Sequence, residues 1–210
     1  MERTNGAGHS EHAPAPEDEG RRARRHDPGR RTRILDAALD VLVADGVAGL
    51  THRKVASRAD VPLGSVTYHF ASLAVLQAQA FSRYVEQRTE EYESLFAAVR
   101  SHEELVRVLV GLVQQGPSRR RSAVLGFELH LAALRDPELR VLTQHWTEAA
   151  RAVLARFTGA EIAARLDALL EGMIMHALLT TDGQSPAETR AAVEHALTPA
   201  APGPEDGSRT

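Results

Sequence analysis

The sequence predicts an all-α protein, with an N-terminal three-helix helix-turn-helix unit joined to a larger C-terminal helical domain. Three observations carry that prediction. Apolar residues recur at i, i+3 and i+4 through almost every segment between residues 30 and 197. No segment shows the period-two alternation of a half-buried strand. The charge is segregated: residues 21–72 hold ten Arg or Lys against five Asp, while residues 73–197 hold thirteen against sixteen acids.

The elements follow in order. Residues 1–29 are rich in Pro, Gly, Glu, Arg and His and nearly free of large apolar side chains, so they read as a disordered arm. Ile34, Leu35, Ala38, Leu39, Leu42 and Val43 form one helical stripe, which Asp45-Gly46 ends because glycine adopts the left-handed stop readily. Thr51 suits the N-cap of a short helix that turns Val55, Ala56 and Ala59 inward. Asp60-Val61-Pro62 makes a turn, since Asp tolerates positive φ and Pro favours a helix start. A second short helix runs from Leu63 to about Phe70, and Ser72 caps a long one reaching about Arg100. Later helices are predicted near 103–115, 121–134, 137–157, 160–181 and 186–197. The tail from Thr198 (TPAAPGPEDGSRT) reads as disordered. The expected domains are therefore an arm (1–29), a helix-turn-helix unit (30–75), a larger domain (76–197) and a tail (198–210).

Composition removes several classes of function. No apolar run approaches the ~20 residues of a membrane span, and the polar N-terminus does not resemble a secretory signal, so a cytoplasmic protein with no membrane partner is expected. Cysteine is absent, which excludes disulfides, thiolate nucleophiles and Cys-based zinc sites. There is no Gly-rich phosphate loop and no HExxH pair, and the His and acidic residues fall on separate predicted helices. An enzyme is not expected. His9, His12 and His26 are scattered along a polar arm, so no metal and no cofactor are expected either.

The helix, Asp-Gly turn, Thr-capped short helix, tight turn and short helix together make a helix-turn-helix unit. Val66 and Phe70, four residues apart, face a small core of Leu35, Leu39, Val55 and Val61. Gly64, Ser65 and Tyr68 then face outward, flanked by Thr67 and His69. Such a face suits the major groove, where bases are read by donors, acceptors and methyl contacts. Gly64 permits close backbone approach, and Tyr68 and His69 have the reach for phosphates. The basic stretch surrounding this unit matches the footprint of a nucleic-acid-binding module.

Residues 33–81, including ILDAALDVLVADGVAGLTHRKVASRADVPLGSVTYHFASLAVLQAQAF, resemble the N-terminal domain of the TetR family of bacterial regulators. The resemblance implies a homodimer whose recognition helices enter successive major grooves of a near-palindromic operator in double-stranded DNA. It implies phosphate contacts from Thr51, Arg53 and Lys54, and base or phosphate contacts from Ser65, Thr67, Tyr68 and His69. Two positions depart from the family pattern. Thr67 stands where Tyr is usual, and Leu73 where a phosphate-gripping Lys is usual. The helix N-terminus capped by Ser72 still offers backbone N–H groups to a phosphate. Arg21, Arg22, Arg24, Arg25, Arg30 and Arg31 precede the first helix, either as a DNA-contacting arm or as a solvated tail.

In the larger domain, the 103–115, 121–134 and 160–181 segments are apolar almost all round, as buried helices are. The family resemblance implies a cavity for a small-molecule effector among them. Phe96, Phe127, Glu128, His130, Trp146, Met173 and His176, polar or aromatic residues embedded in apolar helices, are the candidates for its lining. The resemblance also implies that the last two helices pair with their copies, which puts Leu169, Gly172, Met173 and His176 at the dimer interface. The function so implied is a ligand-responsive repressor released from its operator by an effector of unknown identity. The alternative is a helical protein-interaction scaffold that has no sequence-specific DNA binding.

Overall fold

The computed structural model describes residues 27–114, 116–180 and 184–199, with the side chains of all of these except 116–118. Arg21, Arg22, Arg24, Arg25, His9, His12 and His26, and the tail from residue 200, lie outside the described residues. Among the described residues the fold is entirely helical: α1 (Arg30–Asp45), a 3-10 turn (Val47–Gly49), α2 (His52–Ala59), α3 (Leu63–His69), α4 (Leu73–Phe96), α5 (His102–Gln114), α6 (Gly116–Ala133), α7 (Pro137–Thr158), α8 (Ala160–Leu179) and α9 (Pro186–Leu197). None of these helices is long and apolar enough to cross a membrane.

Local chemistry sets the ends of the first three helices. Asp27 accepts a hydrogen bond from the Gly29 N–H at 3.0 Å and pairs with Arg33 at 2.7 Å, so Asp27 to Gly29 form the entry to α1. Composition assigned these three residues to the arm. Gly46 ends α1 at φ 67° and ψ 179°, a region open essentially to glycine alone, and its N–H closes on the Leu42 carbonyl. Thr51 caps α2 by accepting from the Lys54 N–H. Asp60 takes the left-handed conformation (φ 51°, ψ 53°) that turns the chain into α3, and Pro62 precedes that helix. Ser72 caps α4 by accepting from the Val75 N–H.

Two apolar cores organise the molecule. The first gathers Ile34, Leu35, Leu39, Val55, Val66, Phe70, Leu76 and Phe81, and it continues into the larger domain through Leu125, Leu129, Ala133 and Leu139. The second holds Tyr92, Phe96, Leu105, Leu109, Val153, Leu166, Met173 and Val193. Trp146 packs against both. The long helix α4 runs from one core to the other, so no gap separates the two domains where the sequence divides at residue 75. The head is further joined to the larger domain by polar bonds from α1 and its C-terminal turn. Arg83 of α4 bonds both carboxylate oxygens of Asp36, at 2.6 and 3.2 Å. Arg121 of α6 pairs with Asp40 at 2.7 Å.

Within the larger domain α8 packs against α5, α6 and α7, and α9 closes on α5 and α8. Ser185 and Glu188 form a reciprocal capping box at the start of α9. Arg190 of that helix bonds Glu103 of α5 at 2.7 Å. Arg165 donates to the Ala196 and Thr198 carbonyls, fixing the end of α9. Thr198, assigned by composition to the tail, thus belongs to the C-cap of the last helix.

Candidate DNA-binding surface and ligand cavity

The helix α3 is divided into two faces. Val66 and the following Phe70 have no exposed surface, whereas Tyr68 is 85% exposed. Gly64 and Thr67 are also exposed, and Ser65 and His69 are half-buried. A Cβ added to Gly64 would meet nothing within 4 Å, so packing inside the chain does not demand glycine there. The Thr67 hydroxyl donates back to a carbonyl of its own helix, Gly64 at 3.3 Å, and keeps its acceptor capacity outward. Tyr68 and His69 meet edge to face with ring centroids 5.3 Å apart. Together with Gly64 and Ser65 they border a surface depression whose opposite rim is Asp27, Pro28 and Arg30.

The basic residues around this face divide by partner. Arg30 lines the depression beside α3. Arg31 is exposed, donating to Gln79 at 2.7 Å with its guanidinium 5.5 Å from the Phe70 ring centroid. Lys54 pairs with Asp45 at 2.9 Å, and both side chains remain substantially exposed. Arg53 is exposed at the start of α2, beside the Thr51 cap. Leu73 packs against the head core, giving the apolar side chain at this position a structural use.

A cavity of about 90 Å³ lies among α4, α5, α6, α7 and α8. Three of the seven residues that sequence reasoning assigned to a ligand pocket line it: Phe127, His130 and Trp146. The other four lie elsewhere. Phe96 is buried in the second core against Tyr92 and Phe157, with centroids at 4.8 and 6.0 Å. Glu128 turns toward the head, accepting from the Val47 N–H at 3.0 Å. Met173 is buried in the second core, and His176 is exposed near the end of α8. Of the residues assigned to dimerisation, Leu169 and Gly172 are half-buried and a Cβ added to Gly172 would meet open space, while Met173 is interior.

Sequence reasoning missed the polar lining. Tyr84, Arg88 and Tyr92 come from one face of α4, Arg119 from α6, and Asp167 and Glu171 from α8. Their spacing was a usable signal: 84, 88 and 92 are successive i, i+4 positions on one helix, as are 167 and 171. Arg119 lies within a run of arginines and carried no such mark. The Tyr84 hydroxyl donates to the Ser122 carbonyl at 2.8 Å, and burial pushes its pKa up. Burial also raises that of Tyr92, with the nearby Asp167 carboxylate adding to the effect. The Arg88 guanidinium stands 5.2 Å over the Trp146 ring, whose edge-to-face neighbour is Tyr92 at 5.5 Å. Asp167 is held by Arg151 at 2.8 Å.

Helix α6 serves both regions. Arg121 and Glu128 bond the head, while Ser122, Gly126, Phe127 and His130 face the cavity. Gly126 sits where a Cβ would lie 3.1 Å from the Tyr84 hydroxyl oxygen, so the bare helix surface makes room for that ring.

Comparison with known proteins agrees with this architecture. Residues 34–76 match the model for bacterial regulatory proteins of the tetR family, and residues 100–199 match a tetracyclin repressor-like C-terminal domain. A transcriptional regulator of Streptomyces coelicolor A3(2) is 35% identical over 82% of this chain and 100% of its own, with a TM-score of 0.75. A TetR family member from Streptomyces coelicolor A3 is 39% identical over 82% and 100%, with a TM-score of 0.67. The multidrug binding protein EbrR, in complex with imidazole, is 38% identical over 84% and 99%, again with a TM-score of 0.67. EbrR structures also exist with proflavin, ethidium and malachite green. The HTH-type transcriptional regulator SrpR of Pseudomonas putida is 36% identical over 99 residues, 47% of this chain and 46% of that protein. The match thus spans about half the length of that curated relative. With both halves of the fold matched by family models and full-length structural relatives above 30% identity, the chain belongs to the TetR family of transcriptional regulators.

Proposed function

We propose that a homodimer of this chain binds a near-palindromic operator through α3 and that a small molecule in the cavity releases it. The observation that carries the reading is the division of α3: an apolar face sealed in the head and an outward face of Gly64, Thr67 and Tyr68 that no other part of the described chain covers. A major groove matches such a face, because methyl, hydroxyl and phenol groups can meet base edges while an absent side chain lets the backbone close in. Ser65 and His69 flank the contact, with Thr51, Arg53, Lys54 and the α4 N-terminus at Ser72 meeting phosphates. Arg30, on the rim beside Tyr68, extends the basic surface toward the adjoining backbone. Arg31 is exposed and bonded to Gln79, and it extends the same basic surface if that bond is exchanged for a phosphate.

The effector half of the proposal is supported by α6, which bonds the head with two side chains and walls the cavity with others. A ligand that moves α6 moves the anchor of α1 and so the spacing of the two heads, which must suit half-sites about 34–36 Å apart. The shift is limited by the ligand's differential affinity for the two spacings. EbrR, a multidrug binding protein solved with proflavin and with ethidium, supports the reading of the cavity as an effector site. The pairing surface of the dimer is proposed on α8 and α9, where Leu169 and Gly172 remain partly open.

The test is binding of the full chain to DNA upstream of its own coding region, with scrambled competitor and a salt series. Nanomolar, competitor-resistant binding at an inverted repeat supports the operator reading. Binding that competitor removes and salt abolishes is counterion-driven contact alone. If selection on random DNA then also yields no site, the helical scaffold reading replaces it.

A further inference from the structure

We infer that Arg88 is the gate of the cavity and its resident occupant. Its guanidinium covers the Trp146 face that a planar aromatic ligand takes, and it swings into an outer groove to let that ligand in. The inference rests on the cavity being the effector site and adds how that site opens and what shape it accepts.

Two spaces share one wall. Tyr84, Arg88, Arg119 and Ser122 line both the internal cavity and an open groove on the outer surface. A route from groove to cavity therefore passes among these residues, and they are held unequally. The Tyr84 hydroxyl donates to the Ser122 carbonyl at 2.8 Å, and its oxygen sits 3.1 Å from where a Cβ on Gly126 would lie. That ring is a fixed post. Arg119 has a partner of its own, and the Glu91 carboxylate also favours its charge. Arg88 is held by the Trp146 ring at 5.2 Å and by Glu91 at 3.5 Å, with the Tyr84 hydroxyl alongside. Glu91 lines the groove and not the cavity, and 64% of its side chain is in solvent. A long, solvated pair of that kind restrains little. By turning outward, Arg88 exchanges it for a closer pair with the same carboxylate and regains water, which offsets the lost ring contact.

The size of the space agrees with an occupied site. At about 90 Å³ it is too small for one aromatic ring, since an apolar cavity that accepts benzene measures roughly 150 Å³. With Arg88 inside, the cavity is closed to rings. With Arg88 in the groove, the vacated space lies against the Trp146 face, beside the edge-to-face contact with Tyr92 at 5.5 Å. A guanidinium is planar and stacks on aromatic faces as a ring does, so what it leaves behind is a flat slot. Charge selects little here, because Asp167 and Glu171 share the lining with the two arginines. Flatness, and not the sign of the ligand's charge, is the property the slot recognises.

Trp146 is the only tryptophan, so its fluorescence and its 15N indole signal report on this wall alone. Acrylamide quenching and benzene titration are run on the full-length wild type and on Arg88→Ala, Arg88→Lys and Tyr84→Phe. Arg88→Ala is expected to raise the quenching constant about twofold and the benzene affinity about fivefold or more, because the competing guanidinium is gone. Arg88→Lys keeps the stem and the charge without the planar group, so it moves both values the same way by less, and it serves where the Ala variant fails to fold. Tyr84→Phe is expected to leave both values near wild type. Cyclohexane, similar in girth but not flat, is expected to gain less than benzene from either Arg88 change. The inference is overturned by benzene affinity that is unchanged or weaker in both Arg88 variants. It is equally overturned by Tyr84→Phe opening the site as far as Arg88→Ala, or by an equal gain for cyclohexane. Operator release by benzene is measured separately. Tighter binding in the Arg88 variants with no effect on DNA keeps the gate and counts against the effector reading. Release that is the same in wild type and Arg88→Ala, with unaltered affinity, does the reverse.

Discussion

The proposed DNA-binding surface of the head and the cavity of the larger domain are built on opposite plans. The head buries its aliphatic and aromatic residues in one continuous core and turns small polar groups outward. The cavity turns polar groups inward: two arginines, two tyrosines, a histidine and two acids line a space inside an otherwise apolar helical bundle. The first plan is local, since one seven-residue helix carries both the anchor and the reading face. The second is assembled from five helices, and no single segment reveals it. The contrast teaches that an exposed polar face can be encoded in one turn-delimited helix, while an enclosed cavity requires the whole bundle.

The sharpest way to break the contrast is to substitute two residues two positions apart on the recognition segment. Phe70→Ala removes a fully buried ring and is expected to cost about 3–5 kcal/mol in chemical denaturation. Tyr68→Ala, 85% exposed, is expected to leave the denaturation midpoint nearly unchanged and to weaken operator binding by about tenfold or more at physiological salt. Equal losses of stability would place Tyr68 in the core rather than on the reading face.

These two outcomes bear on how much could be read from the chain itself. The head was legible because Thr51, Asp60 and Pro62 act through their immediate neighbours, and because Val66 and Phe70 declare an inward face by spacing alone. The cavity was half legible. Phe127, His130 and Trp146 stood out as unusual side chains in apolar helices, but Glu128 looked identical by that criterion and faces the head. The two differ only in which neighbour lies across from each turn of α6, and that is fixed by packing of α6 against α1 on one side and α8 on the other. Tyr84 and Arg88 were missed because nothing local shows that α6 and α7 cover that face of α4.

The joint between the two plans gives smaller effects. Gly46→Ala places a side chain at φ 67°, ψ 179° and sets its Cβ 3.3 Å from a Glu128 oxygen, so a loss of about 1–3 kcal/mol is expected in the same denaturation assay. Glu128→Gln keeps an acceptor for the Val47 N–H and removes the charge. A loss of about 1 kcal/mol is expected from the weaker hydrogen bond. Operator affinity and effector response are measured alongside, and a change in response larger than the change in stability assigns Glu128 to the coupling between cavity and head.

Acid gives the mildest effect, and it distinguishes the regions again. Hydrogen bonding from Arg190 holds the Glu103 carboxyl below its ordinary value of 4.5, and the Ser185 N–H and hydroxyl do the same for Glu188. A carboxylate whose pKa falls on folding contributes stability that is full above the ordinary value and is lost as pH drops through the folded one. Thermal unfolding followed from about pH 6 to pH 3 is therefore expected to show a modest decline beginning near the ordinary value, with α9 detaching from α5 before the head loosens. A head that melts first in acid contradicts this assignment.

The continuity of the first core into Leu125, Leu129, Ala133 and Leu139 restricts how such regulators can be recombined. A chimera that grafts residues 27–85 onto another regulator's effector domain replaces four apolar partners, the Arg121 pair with Asp40 and the Glu128 bond to Val47 in one step. Exchange of specificity between relatives is easier at α3, where Gly64, Thr67 and Tyr68 change without repacking anything beneath them. Exchanging the cavity, by contrast, has to carry the head-facing side of α6 along with it.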